Sequence, residues 1–115
     1  MSSADCLFCK FVSGVVEPDV VGETEHSLAF RDINPQAPTH VLVVPKRHVA
    51  NAGELAEVSP DNLQDVVLLA RAVADDEGLG GDYRLVFNTG AGAGQSVFHA
   101  HLHLLGGRSM QWPPG

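Results

Sequence analysis

Three histidines alternate with apolar residues in Phe98-His99-Ala100-His101-Leu102-His103-Leu104-Leu105, and no other feature restricts the fold of this chain as much. Successive side chains of a β-strand point to opposite faces, so a strand over 97–105 gathers the three imidazoles on one face. Phe98, Ala100, Leu102 and Leu104 then form the other face, which belongs to a core. The rest of the 115-residue chain must supply that core, and its length fits one domain over 1–115.

The other segments have the periods needed to do so. Leu7, Phe8 and Phe11 share one side of a short helix over 6–13 that Gly14 ends. Residues 20–25 and 27–33 predict a hairpin, broken by Asn34-Pro35. His40-Val41-Leu42-Val43-Val44-Pro45 is nearly all apolar and predicts a central strand covered on both faces. Ser59 as cap, Pro60 at the first helical position, and Leu63, Val66, Val67, Ala70 and Ala74 on one face predict a long helix. Gly78, Gly80 and Gly81 stop it. A further strand follows over 83–88, then a glycine-rich loop over 89–96. The sum is an α+β domain: a mainly antiparallel sheet of about five strands, one long helix and a short N-terminal helix.

Composition narrows the function classes. The apolar content is 44 %, and no apolar run approaches the ~20 residues of a membrane-spanning helix, which predicts a soluble domain without membrane partners. A formal charge of −7 argues against a nucleic-acid surface, which relies on many Lys and Arg. Met1 to Asp5 lack a basic stretch followed by an apolar core, so they predict a frayed end and cytoplasmic residence. In a reducing cytoplasm the two cysteines, Cys6 and Cys9, favour a metal clip or redox pair over a structural disulfide. Two thiolates do not complete a zinc site, so a zinc reading must recruit histidines.

Three readings of the histidine strand compete. The first is a half-buried strand whose outer face happens to be histidine, which the strict alternation disfavours. In the second, His99 and His101 ligate a catalytic zinc with an open position. Same-face residues are spaced by about 6.6 Å, so one ion does not easily collect all three histidines. In the third, one imidazole attacks phosphorus and its neighbours hold or protonate the surrounding oxygens. A side-chain pKa of roughly 6.5 leaves imidazole a neutral nucleophile near neutral pH. The loop Asn88-Thr89-Gly90-Ala91-Gly92-Ala93-Gly94-Gln95-Ser96 suits the third reading, because its glycines let backbone N–H groups approach an anion.

His-x-His-x-His followed by two apolar residues, with Asn88 and Gly94-Gln95-Ser96 before it and Gly106-Gly107-Arg108 and Trp112-Pro113-Pro114-Gly115 after it, resembles the histidine triad family. Within that family it is most similar to the Hint branch of purine nucleoside phosphoramidases. The likeness runs from the Cys6 segment through Phe30-Arg31-Asp32-Ile33-Asn34-Pro35 and Thr39-His40-Val41-Leu42 to the tail.

The resemblance implies a hydrolase or transferase that cleaves purine nucleoside 5′-phosphoramidates through a nucleotidyl-histidine, with no cofactor required for catalysis. It makes His101 the nucleophile, His103 the contact to phosphate oxygens and Ser96 the hydroxyl near the leaving group. His40 supports the site from the neighbouring strand. Asp32 accepts from the ribose hydroxyls, and Leu7, Phe8, Phe11, Phe30, Ile33 and Leu42 wall the purine. Asn88 and the backbone of Gly94, Gln95 and Val97 complete the phosphate and sugar contacts. Trp112 is expected near the partner's pocket in a homodimer whose sheets join across a two-fold axis. In many bacterial relatives zinc is held by positions that match Cys6, Cys9, His48 and His99 here, so that His99 serves structure as well as the catalytic triad. Alternatives are a dinucleoside polyphosphate hydrolase, which the tail disfavours, the catalytic zinc hydrolase, and a non-catalytic nucleotide-binding dimer.

Overall fold

In the computed structural model, residues 5–115 are described, so the frayed start expected for Met1 to Ala4 lies outside the described residues. Five strands form one antiparallel sheet in the order β1-β2-β3-β5-β4: β1 (Val20–Glu23), β2 (Ser27–Arg31), β3 (Thr39–Pro45), β4 (Tyr83–Phe87) and β5 (Leu102–Gly106). The fold class is the one the sequence implies: α+β, with one long helix and a short N-terminal one.

Strand β3 explains the two-sided architecture. All seven of its residues are buried. Val41 and Val43 join Ala29, Leu102 and Leu104 in a core packed under α3 (Pro60–Asp76) through Val66, Leu69, Ala70, Val73 and Ala74. Leu42 and Val44 point the opposite way, to Leu28, Phe30 and Phe8 of the short helix α1 (Leu7–Ser13). A strand covered by a helix on each face has no reason to alternate polar with apolar residues.

The helix ends follow the sequence signals. Cys6 caps α1 by accepting from the Cys9 N–H, and Gly14, at φ 82°, closes it in the left-handed conformation that favours glycine. Ser59 caps α3 by accepting from the Asn62 N–H, with Pro60 in the first turn.

Several boundaries differ from expectation. The hairpin strand ends at Arg31 rather than Ile33, because Asp32 turns back on itself and accepts the Asn34 N–H. Strand β4 ends at Phe87, one residue short of Asn88. Val67 was expected on the buried face of α3 but is 37 % exposed, and Leu69 and Val73 take the inward positions instead. A helix α2 (Ala52–Val58), capped by the Asn51 side chain, was not anticipated from the sequence. The largest correction concerns the histidine strand, which begins at Leu102 rather than Val97. Its partner β3 ends in Pro45, which has no N–H to extend the ladder. The chain before Leu102 bonds elsewhere, with the Ala100 N–H donated to the Val49 carbonyl.

Candidate active site and metal centre

The three histidines therefore leave the sheet one by one, and each meets a different environment. His103, within β5, is half-buried and paired in register with Leu42. His101 is 7 % exposed, just before the strand, and His99 is fully buried among the N-terminal residues.

His101 and His103 line a cavity of about 260 Å³ on the α1 side of the sheet. Phe8, Phe11 and Phe30 form an aromatic wall, with ring centroids 5.4 Å apart for Phe8 and Phe30 and 4.9 Å for Phe11 and Phe30. Leu7, Leu42 and Val97 extend that apolar surface. Asp32, Ile33 and Ser96 stand at the cavity too, the Ile33 side chain being 99 % exposed. The mixture of flat apolar walls with a few converging polar groups suits an aromatic ligand that carries a polar end. A larger hollow of about 830 Å³ lies between the turn after α3 and the tail at Arg108, and none of the histidines reaches it.

Hydrogen bonds fix the ring of His101. Its Nδ1 lies 2.8 Å from the carbonyl oxygen of His99, and a carbonyl only accepts, so Nδ1 carries the proton and Nε2 keeps its lone pair. The edge of His101 meets Phe8 at a centroid distance of 5.2 Å, and His103 at 5.0 Å. His103 Nδ1 is 2.9 Å from His40 Nε2, which also lies 3.4 Å from an Asp32 carboxylate oxygen. Burial pushes the His103 pKa down to about 4, with His101 and His40 acting in the same direction and Asp32 opposing. Burial also lowers that of His40, again against Asp32. Both imidazoles are therefore neutral near pH 7.

His99 faces the other way. Its Nε2–H is donated to the Pro45 carbonyl at 2.7 Å, leaving the Nδ1 lone pair 3.5 Å from both cysteine sulfurs and 3.2 Å from His48 Nδ1. Cys9 Sγ is 3.2 Å from His48 Nδ1. All four donor atoms lie within 4.8 Å of one another. Two sulfurs and two ring nitrogens so converged, with the second nitrogen of His99 bonded to a carbonyl, fit the donor set and outer support of a tetrahedral zinc site. Burial pushes the Cys9 thiol up to about 11, with Cys6 adding to the shift, and holds His99 down to about 4. A metal entering this site must therefore displace thiol protons. Among the described residues, the other group able to hold a metal is Asp32, His40 and His103. His101 belongs to neither group.

A sequence profile of the HIT domain matches residues 13–110. The chain belongs to the HIT domain family. Among HIT relatives, a HIT-like protein of Synechococcus elongatus is 47 % identical over 113 residues, covering 98 % of this chain and 99 % of its own. A 14 kDa zinc-binding protein of Zea mays is 44 % identical over 118 residues, covering 100 % of this chain and 91 % of its own. The crystal structure of a HIT family hydrolase from Legionella pneumophila superposes with a TM-score of 0.91 at 50 % identity, over 96 % of this chain and 100 % of that one. Its likeness shows the HIT fold.

Other residues singled out in the sequence lie away from the cavity lining. Gln95 is buried, and its side chain is used up on the main chain: its amide nitrogen donates to the Ala50 and Val97 carbonyls, and its oxygen accepts from the Gly90 N–H. Asn88 sits half-buried beside Gly94, whose φ of 97° requires the freedom of glycine. Trp112 is 82 % exposed on the tail. His26, to which the sequence assigns no role, is an exposed turn residue near Glu25. Sequence reasoning missed Pro18 and Arg31 at the cavity, and the carbonyls of Pro45 and His99, which orient two of the three histidines. Main-chain groups leave no mark in a sequence.

Proposed function

We propose that this HIT chain, acting as a single domain, hydrolyses purine nucleoside 5′-phosphoramidates through a covalent nucleotide on His101. The observation that carries this reading is the fixed polarity of His101, whose Nδ1–H is held by the His99 carbonyl. Its Nε2 lone pair is then the reactive end of a ring that lines a cavity with an aromatic wall. The similar Legionella pneumophila protein, a HIT family hydrolase, supports a hydrolytic reaction.

In the first step Nε2 forms a bond to phosphorus and the bond from phosphorus to the amine nitrogen breaks, the amine taking up a proton from solvent as it leaves beside the Ser96 hydroxyl. The His99 carbonyl stabilises the positive charge that develops on the imidazole. His103 donates to the oxygens, where negative charge gathers in the transition state, and the Ser96 hydroxyl donates near the leaving group. In the second step water bonds to phosphorus and gives a proton back to solvent as the phosphorus–Nε2 bond breaks, releasing the nucleoside monophosphate and neutral His101. Asp32 accepts from the ribose hydroxyls, and Phe8, Phe11 and Phe30 wall the purine with Leu7, Ile33 and Leu42. His40 holds His103, while Asn88 and the backbone of Gly94, Gln95 and Val97 border the phosphate side.

Cys6, Cys9, His48 and His99 would hold zinc, which supplies structure when bound by tying α1 to the segment before β5. The zinc-binding description of the Zea mays relative supports this assignment. The protein acts as a cytoplasmic homodimer, with the exposed Trp112 placed against the partner's pocket. Among the described residues, no helix is long and apolar enough to cross a membrane.

Rapid-quench mass spectrometry with an adenosine 5′-phosphoramidate tests the reading: a nucleotidyl adduct should appear on His101 before product. His101→Ala should abolish turnover while purine nucleotide binding remains measurable. Unchanged turnover in that variant would remove His101 from the chemistry.

A further inference from the structure

The ring of His40 is held at both nitrogens. The main-chain N–H of Gln36 points at His40 Nδ1, 3.0 Å away. An amide N–H only donates, so that nitrogen must present a lone pair. A neutral imidazole carries one proton, which therefore sits on His40 Nε2. From there it is donated to His103 Nδ1 at 2.9 Å, since the Asp32 carboxylate oxygen is farther, at 3.4 Å. His103, accepting at Nδ1, carries its own proton on Nε2.

We infer that the Gln36 peptide is a positioning group: its N–H sets the tautomer of His40 and, through it, makes His103 a hydrogen-bond donor toward the cavity. The adjacent His101, bonded to a carbonyl instead of an amide, has the opposite polarity. Two neighbouring imidazoles of the same residue type thus become one electron-pair donor and one proton donor, purely through which main-chain group each chain of bonds begins from.

The Gln36 main chain is also anchored through the next peptide group. Its carbonyl accepts from Arg108 Nε at 3.1 Å, and Gly107 packs so closely that an added Cβ would stand 2.9 Å from Pro38. The Gln36 side chain does something separate, donating to the Asn34 carbonyl. The tail beyond β5 therefore presses on the loop that orients His40, and Arg108 is the second positioning residue of the chain Arg108–Gln36–His40–His103.

The inference rests on the reading of His103 as the donor to a phosphoryl oxygen, but its first test does not depend on turnover. Nitrogen NMR of the ¹⁵N-histidine-labelled protein distinguishes the two neutral tautomers of each ring. Near pH 7, His40 and His103 should both be Nε2–H and His101 should be Nδ1–H; His40 found as Nδ1–H overturns the inference even if the enzyme turns over. Gln36→Pro removes the N–H, and Gln36→Ala retains it. In folded Gln36→Pro protein, His103 should lose its single tautomer and turnover of an adenosine 5′-phosphoramidate should fall about tenfold or more, the scale of one lost hydrogen bond in a transition state, with AMP affinity unchanged. Gln36→Ala should keep wild-type tautomers and turnover. Wild-type tautomers in Gln36→Pro would equally overturn the inference. The expected tautomers in a protein that does not hydrolyse phosphoramidates would refute the proposed function and leave the positioning role standing.

Discussion

The carbonyl oxygen of His99 lies 2.8 Å from His101 Nδ1 and accepts its N–H, while the ring of the same His99 reaches into the Cys6 and Cys9 cluster. One residue thus links the proposed metal centre to the proposed nucleophile. Its side chain serves one and its main chain the other.

Removing the metal ligands should therefore act on both. Cys9→Ala is expected to lose bound zinc, measured by metal analysis, and to lower Tm by about 5 °C or more, since a structural ion contributes folding free energy directly. Turnover should fall with it although Cys9 is absent from the cavity lining. An unchanged Tm relative to zinc-loaded wild type would exclude a structural ion at these residues.

Acid should weaken the fold through His103. Its folded pKa of about 4 lies below the ~6.5 of an unfolded histidine, so between those values the unfolded chain binds the proton first. The stabilising contribution of neutral His103 is complete above about pH 6.5 and is lost as pH falls toward 4. Urea unfolding across that window should show His103→Asn with a shallower loss of stability than wild type. Parallel curves would mean that His103 titrates normally in the folded protein.

Leu102 starts β5 with its side chain 1 % exposed in the core under α3. Leu102→Ala should cost about 2–5 kcal/mol, from lost burial and the cavity left behind. Leu85→Ala, at a position 37 % exposed on β4, should stay within about 0.5 kcal/mol in the same denaturant titration. Equal costs would contradict the assigned faces.

The cap of the long helix offers a smaller effect. Ser59 accepts from the Asn62 N–H, and Ser59→Ala should lower stability by about 1 kcal/mol. Ser59→Asp, which restores an acceptor, should recover most of it; failure to do so would assign the loss to something other than the cap.

Much of this architecture could be read from the chain. The two-sided burial of Val41 to Val44, the Ser59-Pro60 start and the Gly14 stop each have a local physical cause, so each is visible locally. The start of the histidine strand is not legible, because alternation continues past the point where pairing ends. Ala100 and Leu102 keep facing the core, but Pro45 offers the segment no ladder partner. Helix α2 is not legible because seven residues, among them Gly53, Glu54 and Glu57, are too few to display a period. In the site, the grouping of His48 with Cys6, Cys9 and His99 follows from the resemblance and not from spacing, since 39 residues separate His48 from Cys9. Pocket-facing Phe8 and Phe30 use the same residue types as any core. The orientation of His40 by Gln36 was invisible because the donor is an amide that every residue but proline possesses.

The Gln95 side chain, spread across three main-chain groups, changes the meaning of the glycine-rich loop beside the cavity. Three glycines at alternate positions, Gly90, Gly92 and Gly94, suggest a segment whose freedom a ligand must quench on arrival. Here a single amide ties that segment to Ala50, Val97 and Gly90 beforehand. The entropy of ordering that segment is lost when the chain folds, so a ligand of the proposed kind would not have to offset it on binding.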